Sequence, residues 1–239
     1  MTAELVYGRR AVREALRGPR EVLEVHASER ALAAEAWLRE ASGIRLQVRP
    51  ERALTELAGS PDHQGVVARC EPFRYADADE LAARERPLLA VLDRVTDPRN
   101  LGAVCRSAEG AGADGVIVPE HATARVTPAV CRASAGAVEH LPVAVVPNVA
   151  RWLQEVKRPD LWVWATDPAA PTPMWSADLR TGAALVFGSE GKGLRPLVRR
   201  ACDEAVSIPL AGKVESLNVS VAAALLLFEA RRQRDFAHA

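Results

Sequence analysis

Between residues 88 and 210 the chain returns six times to a short, nearly unbroken apolar run. The runs are LLAVLDRV (88–95), GVIVP (115–119), VAVV (143–146), LWVWAT (161–166), AALVFG (183–188) and AVSIPL (205–210). Runs of this length without polar alternation fit strands covered on both faces, and such strands belong to mostly parallel sheets with helices on each side. The repeated strand–helix alternation therefore predicts an α/β fold, whose ligands bind in loops that follow the strands. The last helix, from about Val219 through LLLFEARRQR, is apolar nearly all round, which predicts burial in the core or a division between core and a subunit interface.

The N-terminal part has a different texture. EVLEVHAS, IRLQVRP and QGVVARCEPF alternate apolar and polar residues like strands, while GRRAVREAL and ERALAAEAWLREAS carry helical spacing. These segments predict a small α/β domain over residues 1–73. A charged stretch, RYADADELAARER (74–86), reads as a linker, and residues 87–239 form the larger domain.

Hydrophobic residues make up 49% and charged residues 26%, a globular balance that excludes intrinsic disorder. The longest apolar run, VAAALLLF, is too short to span a bilayer, and MTAELVYGRR has no signal-peptide core. A cytoplasmic protein is expected. Four scattered cysteines without CxxC spacing, and five histidines without ligand spacing, point to neither a disulfide framework nor a metal. Net charge is zero, with 31 basic and 31 acidic residues, which disfavours a wholly basic nucleic-acid surface but leaves room for a local patch.

Two glycine-rich stretches invite a nucleotide reading and fail it. In VFGSEGKGL (186–194) a Walker loop would need glycine where Val186 stands, and Ser or Thr where Gly193 stands. Gly110 to Gly115 match GxGxxG, but a helix precedes them and a strand follows, the reverse of the dinucleotide order.

Three other stretches carry candidate chemistry. In DRVTDPRNLGAVCRSAEG a strand ends near Val95, Asp97 can cap a helix, and Pro98 suits its first turn. Arg99 and Arg106, seven apart, project from nearly the same face, with Gly102 and Ala103 keeping it low for a bulky anion. In the glycine loop, Gly188 permits close backbone approach, Gly191 and Gly193 permit positive φ, and Glu190 lies between them. In SIPLAGKVESLNVSVAAALLL, Ser216 and Asn218 open the last helix, where capping is one role and binding an anion or a carboxylate another.

In order and spacing, NLGAVCRSA, FGSEGKGL and IPLAGKVESLNVSVAAALLL closely resemble the motifs of the SpoU (TrmH-like) branch of the SPOUT RNA methyltransferases. VYGRRAVREAL and DHQGVVA resemble the small ribosomal-protein-like substrate-binding domain of its RlmB-type members, which methylate a guanosine ribose 2′-oxygen in large-subunit ribosomal RNA. The resemblance implies a deep trefoil knot in the parallel-sheet domain, S-adenosylmethionine bound in a bent form without metal, and a homodimer that completes the site. It assigns functional positions to Asn100, Arg106, Glu190, Ser216 and Asn218, and backbone contacts to the cofactor at Gly188, Ile208 and Leu217. Leu210 stands where close relatives often have methionine. RNA affinity in so neutral a chain falls to clusters such as Arg9, Arg10, Arg13, Arg17 and Arg20, with Arg99 beside the site. A transfer-RNA ribose methyltransferase and a non-catalytic RNA-binding protein on the same fold are the rival readings. The N-terminal domain speaks against the first, and the retained Arg106, Glu190 and Asn218 against the second.

Overall fold

The computed structural model describes residues 3–40, 43–189 and 191–235. In chain order the elements begin with β1 (Glu4–Tyr7), α1 (Arg9–Arg17), β2 (Val22–Ala27), α2 (Glu29–Ala34), α3 (Ala36–Glu40), β3 (Arg45–Val48), α4 (Glu51–Ala58) and β4 (Val66–Cys70). There follow α5 (Ala78–Ala82), β5 (Leu88–Asp93), α6 (Pro98–Gly110), β6 (Gly115–Pro119), α7 (Pro128–Ala133), β7 (Val143–Val146) and α8 (Val149–Glu155). The last are β8 (Leu161–Thr166), β9 (Thr172–Pro173), β10 (Gly182–Gly188), α9 (Pro196–Ala201), β11 (Glu204–Ser207) and α10 (Val219–Asp235). They fall into two compact units, one of residues 1–74 with 125–140, the other of residues 75–124 with 141–239.

The first unit is a four-stranded sheet in the order β1-β4-β2-β3, antiparallel except for the β2–β3 pair. Both faces of its central strands are covered. Val25 and Ala27 of β2 share a face with Ala68 and Val66 of β4, and Val67 packs on the other with Tyr7 and Leu54. α1 contributes Ala11, Val12 and Ala15 from one face. The unit also takes in α7 and the turn after it, a grouping that a division at residues 73 and 87 does not anticipate. α7 packs on β1 and α1, Val130, Cys131, Ala137 and Val138 of this stretch are buried, and long-range charge pairs add to the packing. Arg20, almost wholly buried, donates through Nε to Glu139 at 3.0 Å and also bonds it through Nη2. Burial alone would lower the Arg20 pKa, and the Glu139 carboxylate outweighs it and raises the pKa. Arg132 pairs with Asp62 and His140 bonds Glu14 at 3.0 Å.

The second unit is a seven-stranded sheet, β7-β6-β5-β10-β8-β11-β9, parallel throughout. All six apolar runs form strands, and every residue of β5 and β6 is buried. The stretch expected as a linker is not loose. Asp77 caps α5 by accepting from the Asp79 and Glu80 amides, and Ala78, Leu81 and Ala82 enter the core of this unit. Gly110 closes α6 and Gly115 opens β6, so the GxGxxG stretch is a helix-to-strand connection. α10 buries Val219, Ala223, Leu226, Leu227 and Ala230, while Val221, Leu225 and Phe228 stand exposed on another face.

Candidate functional site

In an all-parallel sheet every strand delivers its following loop to the same edge. The three motif loops leave β5, β10 and β11 at that carboxyl edge, with β5 and β10 in direct register up to the Asp93–Gly188 pair. Asp97 caps α6 as the sequence predicts, accepting from the Arg99 amide at 2.8 Å, with Pro98 at the first helical position.

The first and third motifs meet. Asn218 Nδ2 donates to Asn100 Oδ1 at 3.1 Å, and Asn218 Oδ1 accepts from the Ser220 amide at 2.8 Å and the Ser220 hydroxyl at 2.6 Å. Asn218 thus caps α10 and at the same time ties it to the buried Asn100 on the first turn of α6. Capping and bridging are both performed by one side chain.

The glycine loop is folded on itself. Ser189 and Gly193 exchange backbone hydrogen bonds of 3.2 and 2.9 Å, and Gly191 and Gly193 have φ of +75° and +61°. A Cβ at Gly188 would lie 2.2 Å from the Gly193 carbonyl carbon, so only glycine fits. Glu190 lies outside the described residues.

Arg99 and Arg106 are both exposed, with Ala103 partly so, whereas Gly102 turns inward. The low outward face thus comes from Ala103. Arg99 wraps onto Asp97, its Nη2 3.1 Å from Oδ2, and this hydrogen bonding holds the Asp97 carboxyl below its usual range. Among the described residues no carboxylate lies within ion-pair distance of Arg106. Ser216 and Leu217 are exposed and Ile208 is half-buried.

A residue that pattern reading passed over fastens the site. Asp93, at the end of β5, has a fully buried side chain that accepts from the Arg195 amide at 2.9 Å and from its Nε at 2.7 Å. This clamps the far end of the glycine loop to the neighbouring strand. The available signal is one carboxylate closing the otherwise apolar run LLAVLD.

On the first unit, the arginines of α1 are largely neutralised. Arg9 pairs with Glu35 and bonds Gln64, and Arg13 and Arg17 share Glu14. Arg10 is exposed with no carboxylate partner among the described residues. Burial pushes the Cys70 thiol up to about 11 and those of Cys131 and Cys202 to about 12, so none of these supplies a thiolate near neutral pH.

The loop of residues 210–217 is exposed throughout, and among the described residues its backbone makes no hydrogen bond. Leu210, Val214 and Leu217 present apolar surface beside those free amides and carbonyls. Free backbone groups with apolar side chains suit a neutral nucleoside and a thioether-like chain better than a polyphosphate. The donor set therefore fits an adenosyl-type ligand.

A parallel α/β sheet whose carboxyl-edge loops are pinned by a buried clamp and a helix-bridging asparagine defines a ligand-binding, enzyme-like site. The model of the SpoU rRNA methylase family matches residues 87–228, and that of the RNA 2′-O ribose methyltransferase substrate-binding domain matches residues 5–76. The chain belongs to the SpoU rRNA methylase family. It is 40% identical to the putative TrmH family tRNA/rRNA methyltransferase YacO of Bacillus subtilis, across 97% of this chain and 96% of that one. It is 46% identical to the 23S rRNA (guanosine-2′-O-)-methyltransferase RlmB of Ralstonia nicotianae, across 82% and 80%. The SpoU methyltransferase AviRb of Streptomyces viridochromogenes, solved in complex with AdoMet, superposes with a TM-score of 0.80 at 30% identity, across 97% and 90%.

Proposed function

We propose that the protein transfers a methyl group from S-adenosylmethionine to a ribose 2′-oxygen, of a guanosine in 23S ribosomal RNA. The observation that carries this reading is the convergence of the glycine loop, the Asn100–Asn218 bridge and the exposed 210–217 loop on one sheet edge. The choice of ribosomal RNA rests on the RlmB relatives and the substrate-binding match over residues 5–76.

S-adenosylmethionine, when bound, supplies an already activated methyl group. Gly188, Ile208 and Leu217 would hold it through backbone groups, with Ser216 as a polar neighbour, and the motif FGSEGKGL assigns Glu190 a functional role there. Asn218 holds the end of α10 against α6, so that Asn100 and Arg106 keep a fixed geometry to the cofactor loops. Arg106 reaches the RNA. A guanidinium is a poor base, because it holds its proton far into the alkaline range. Its role is to grip the phosphate beside the target ribose and to orient the 2′-hydroxyl for in-line attack. Arg99 and the α1 arginines Arg9, Arg10, Arg13 and Arg17 add RNA contacts.

The reading includes the deep knot of the SPOUT domain, with β10 inserted between β5 and β8. It includes a homodimer, for which the exposed Val221, Leu225 and Phe228 of α10 offer an apolar seam. It places the protein in the cytoplasm, with its RNA. Titration calorimetry of the full chain is expected to show S-adenosylmethionine binding that survives a chelator. Binding abolished by the chelator contradicts the metal-free site, and no binding at all contradicts the reading.

A further inference from the structure

The first unit carries an open cavity of about 690 Å³ at one end of its sheet, within the roughly 300–1,000 Å³ of small-ligand sites. Three segments line it: residues 28–30 after β2, residues 48–51 after β3, and residues 61–65 before β4. β3 is the edge strand, so the cavity opens beside an unpaired sheet margin.

The walls are held from behind. Ser28 donates its amide to the Gly65 carbonyl at 2.9 Å, and a Cβ at Gly65, with φ of +80°, would fall 2.6 Å from Ser28 Oγ. His63 is buried with both ring nitrogens engaged. Nδ1 accepts from the Gly65 amide at 2.9 Å, and Nε2 lies 2.9 Å from Thr55 Oγ1. That hydroxyl donates to the Glu51 carbonyl, so the ring is tied to α4 through Thr55. Gln64, at φ of +55°, is gripped by Arg9 through both its carbonyls. The DHQG stretch thus builds a rigid wall, and rigid walls are what a binding site needs.

Most arginines of the unit are neutralised. Arg9, Arg13, Arg17, Arg20, Arg52, Arg69, Arg74 and Arg132 all pair with carboxylates. Arg30 and Arg49, on the cavity, and Arg45, on the adjoining edge strand, have no carboxylate partner among the described residues. Arg10 and Arg39, away from the cavity, also lack a carboxylate partner among the described residues. Among the described residues the Arg49 guanidinium donates only to the Gln47 side chain, at 2.7 Å. Val48, 55% exposed, offers an apolar surface between them. The carboxylates of Glu29 and Glu51 also line the cavity, so it is not a purely cationic phosphate trough. Guanidinium groups together with carboxylate acceptors and a small apolar face match a nucleotide, with its phosphate, its base N–H donors and its ring.

We infer that this cavity seats one unstacked nucleotide of the RNA substrate, with Arg30 and Arg49 on its phosphate and base. The inference rests on the RNA methyltransferase reading above, and it moves the main RNA contact of the first unit from α1 to this cavity. Arginines at a sheet edge also serve simply to deter edge-to-edge association, and the experiment separates the two roles.

The full-length protein is crosslinked to in vitro-transcribed 23S rRNA carrying 4-thiouridine, and the crosslinked peptides are identified by mass spectrometry. In parallel, RNA affinity is measured for Arg30→Glu/Arg49→Glu and for Arg10→Glu/Arg13→Glu, which leaves the Arg9–Gln64 bonds of the wall intact, with S-adenosylmethionine affinity as the folding control. The expected result is crosslinks within residues 45–65 and at least about tenfold weaker RNA binding for the first variant. Its cofactor affinity should be unchanged, and its RNA loss should exceed that of the α1 variant. Crosslinks confined to residues 9–17, with Arg30→Glu/Arg49→Glu binding RNA within twofold of wild type, overturn the cavity alone. A wild-type protein that binds S-adenosylmethionine but neither crosslinks to nor methylates this RNA overturns the underlying reading and the inference with it.

Discussion

Arg106→Ala is expected to lower methyl transfer by about a thousandfold while leaving S-adenosylmethionine affinity within a few-fold of wild type. The groups proposed to hold the cofactor lie on the loops after β10 and β11. Arg106 instead stands exposed on α6, without a carboxylate partner among the described residues. A cation kept free of internal pairing can meet a phosphate without first breaking a bond. The fork of the guanidinium also sets direction, so Arg106→Lys should recover only a small part of the rate. Single-turnover kinetics with saturating RNA, alongside calorimetry, checks this. Turnover of Arg106→Ala near the wild-type rate removes Arg106 from the mechanism.

Gly188→Ala is expected to abolish detectable S-adenosylmethionine binding, a loss of at least about a hundredfold, and to cost about 1–3 kcal/mol of stability from overpacking. The added methyl would meet the Gly193 carbon at 2.2 Å, the Gly193 oxygen at 2.5 Å and the Leu194 nitrogen at 2.5 Å. All three are backbone atoms, so no side chain can turn aside. The loop must open, against the Asp93–Arg195 clamp that holds its far end. Gly191→Ala is the internal control. Its Cβ would meet open space, and the left-handed φ of +75° costs only about 1 kcal/mol. Calorimetry and thermal melts of the two variants should therefore diverge sharply. Equal cofactor affinity in both would show that the closed loop is not the cofactor wall.

The parallel sheet was legible because its strands are buried on both faces and so read as apolar runs without alternation. β9 was not, since Thr172–Pro173 is a two-residue edge strand with no such pattern. The helical window over residues 29–42 gave no sign of a break. Glu35 interrupts it because its carboxylate is drawn to Arg9 and to the Trp37 indole, a pull that helix propensity does not contain. The inclusion of residues 125–140 in the first unit comes from the packing of α7 on β1 and from contacts such as Arg20–Glu139, which are 119 positions apart. The same blindness affected Arg9 of α1. Glu14, on the same helix, is within reach of Arg13 and Arg17 by spacing alone, whereas Glu35 faces Arg9 from a position that only the fold reveals. At the site, Asp97 as a cap and the glycine conformations followed from local chemistry. The Asn100–Asn218 bridge and the Asp93 clamp join residues about a hundred positions apart and needed the sheet order.

The most direct measurement incubates the purified full-length protein with deuteromethyl-labelled S-adenosylmethionine and 23S rRNA transcript, then digests the RNA and weighs its nucleosides and fragments. The expected result is one deuteromethyl group on the ribose of a guanosine, at a single position. Label on a base, or none in ribosomal RNA from a protein that binds the cofactor, would contradict the function proposed for this chain.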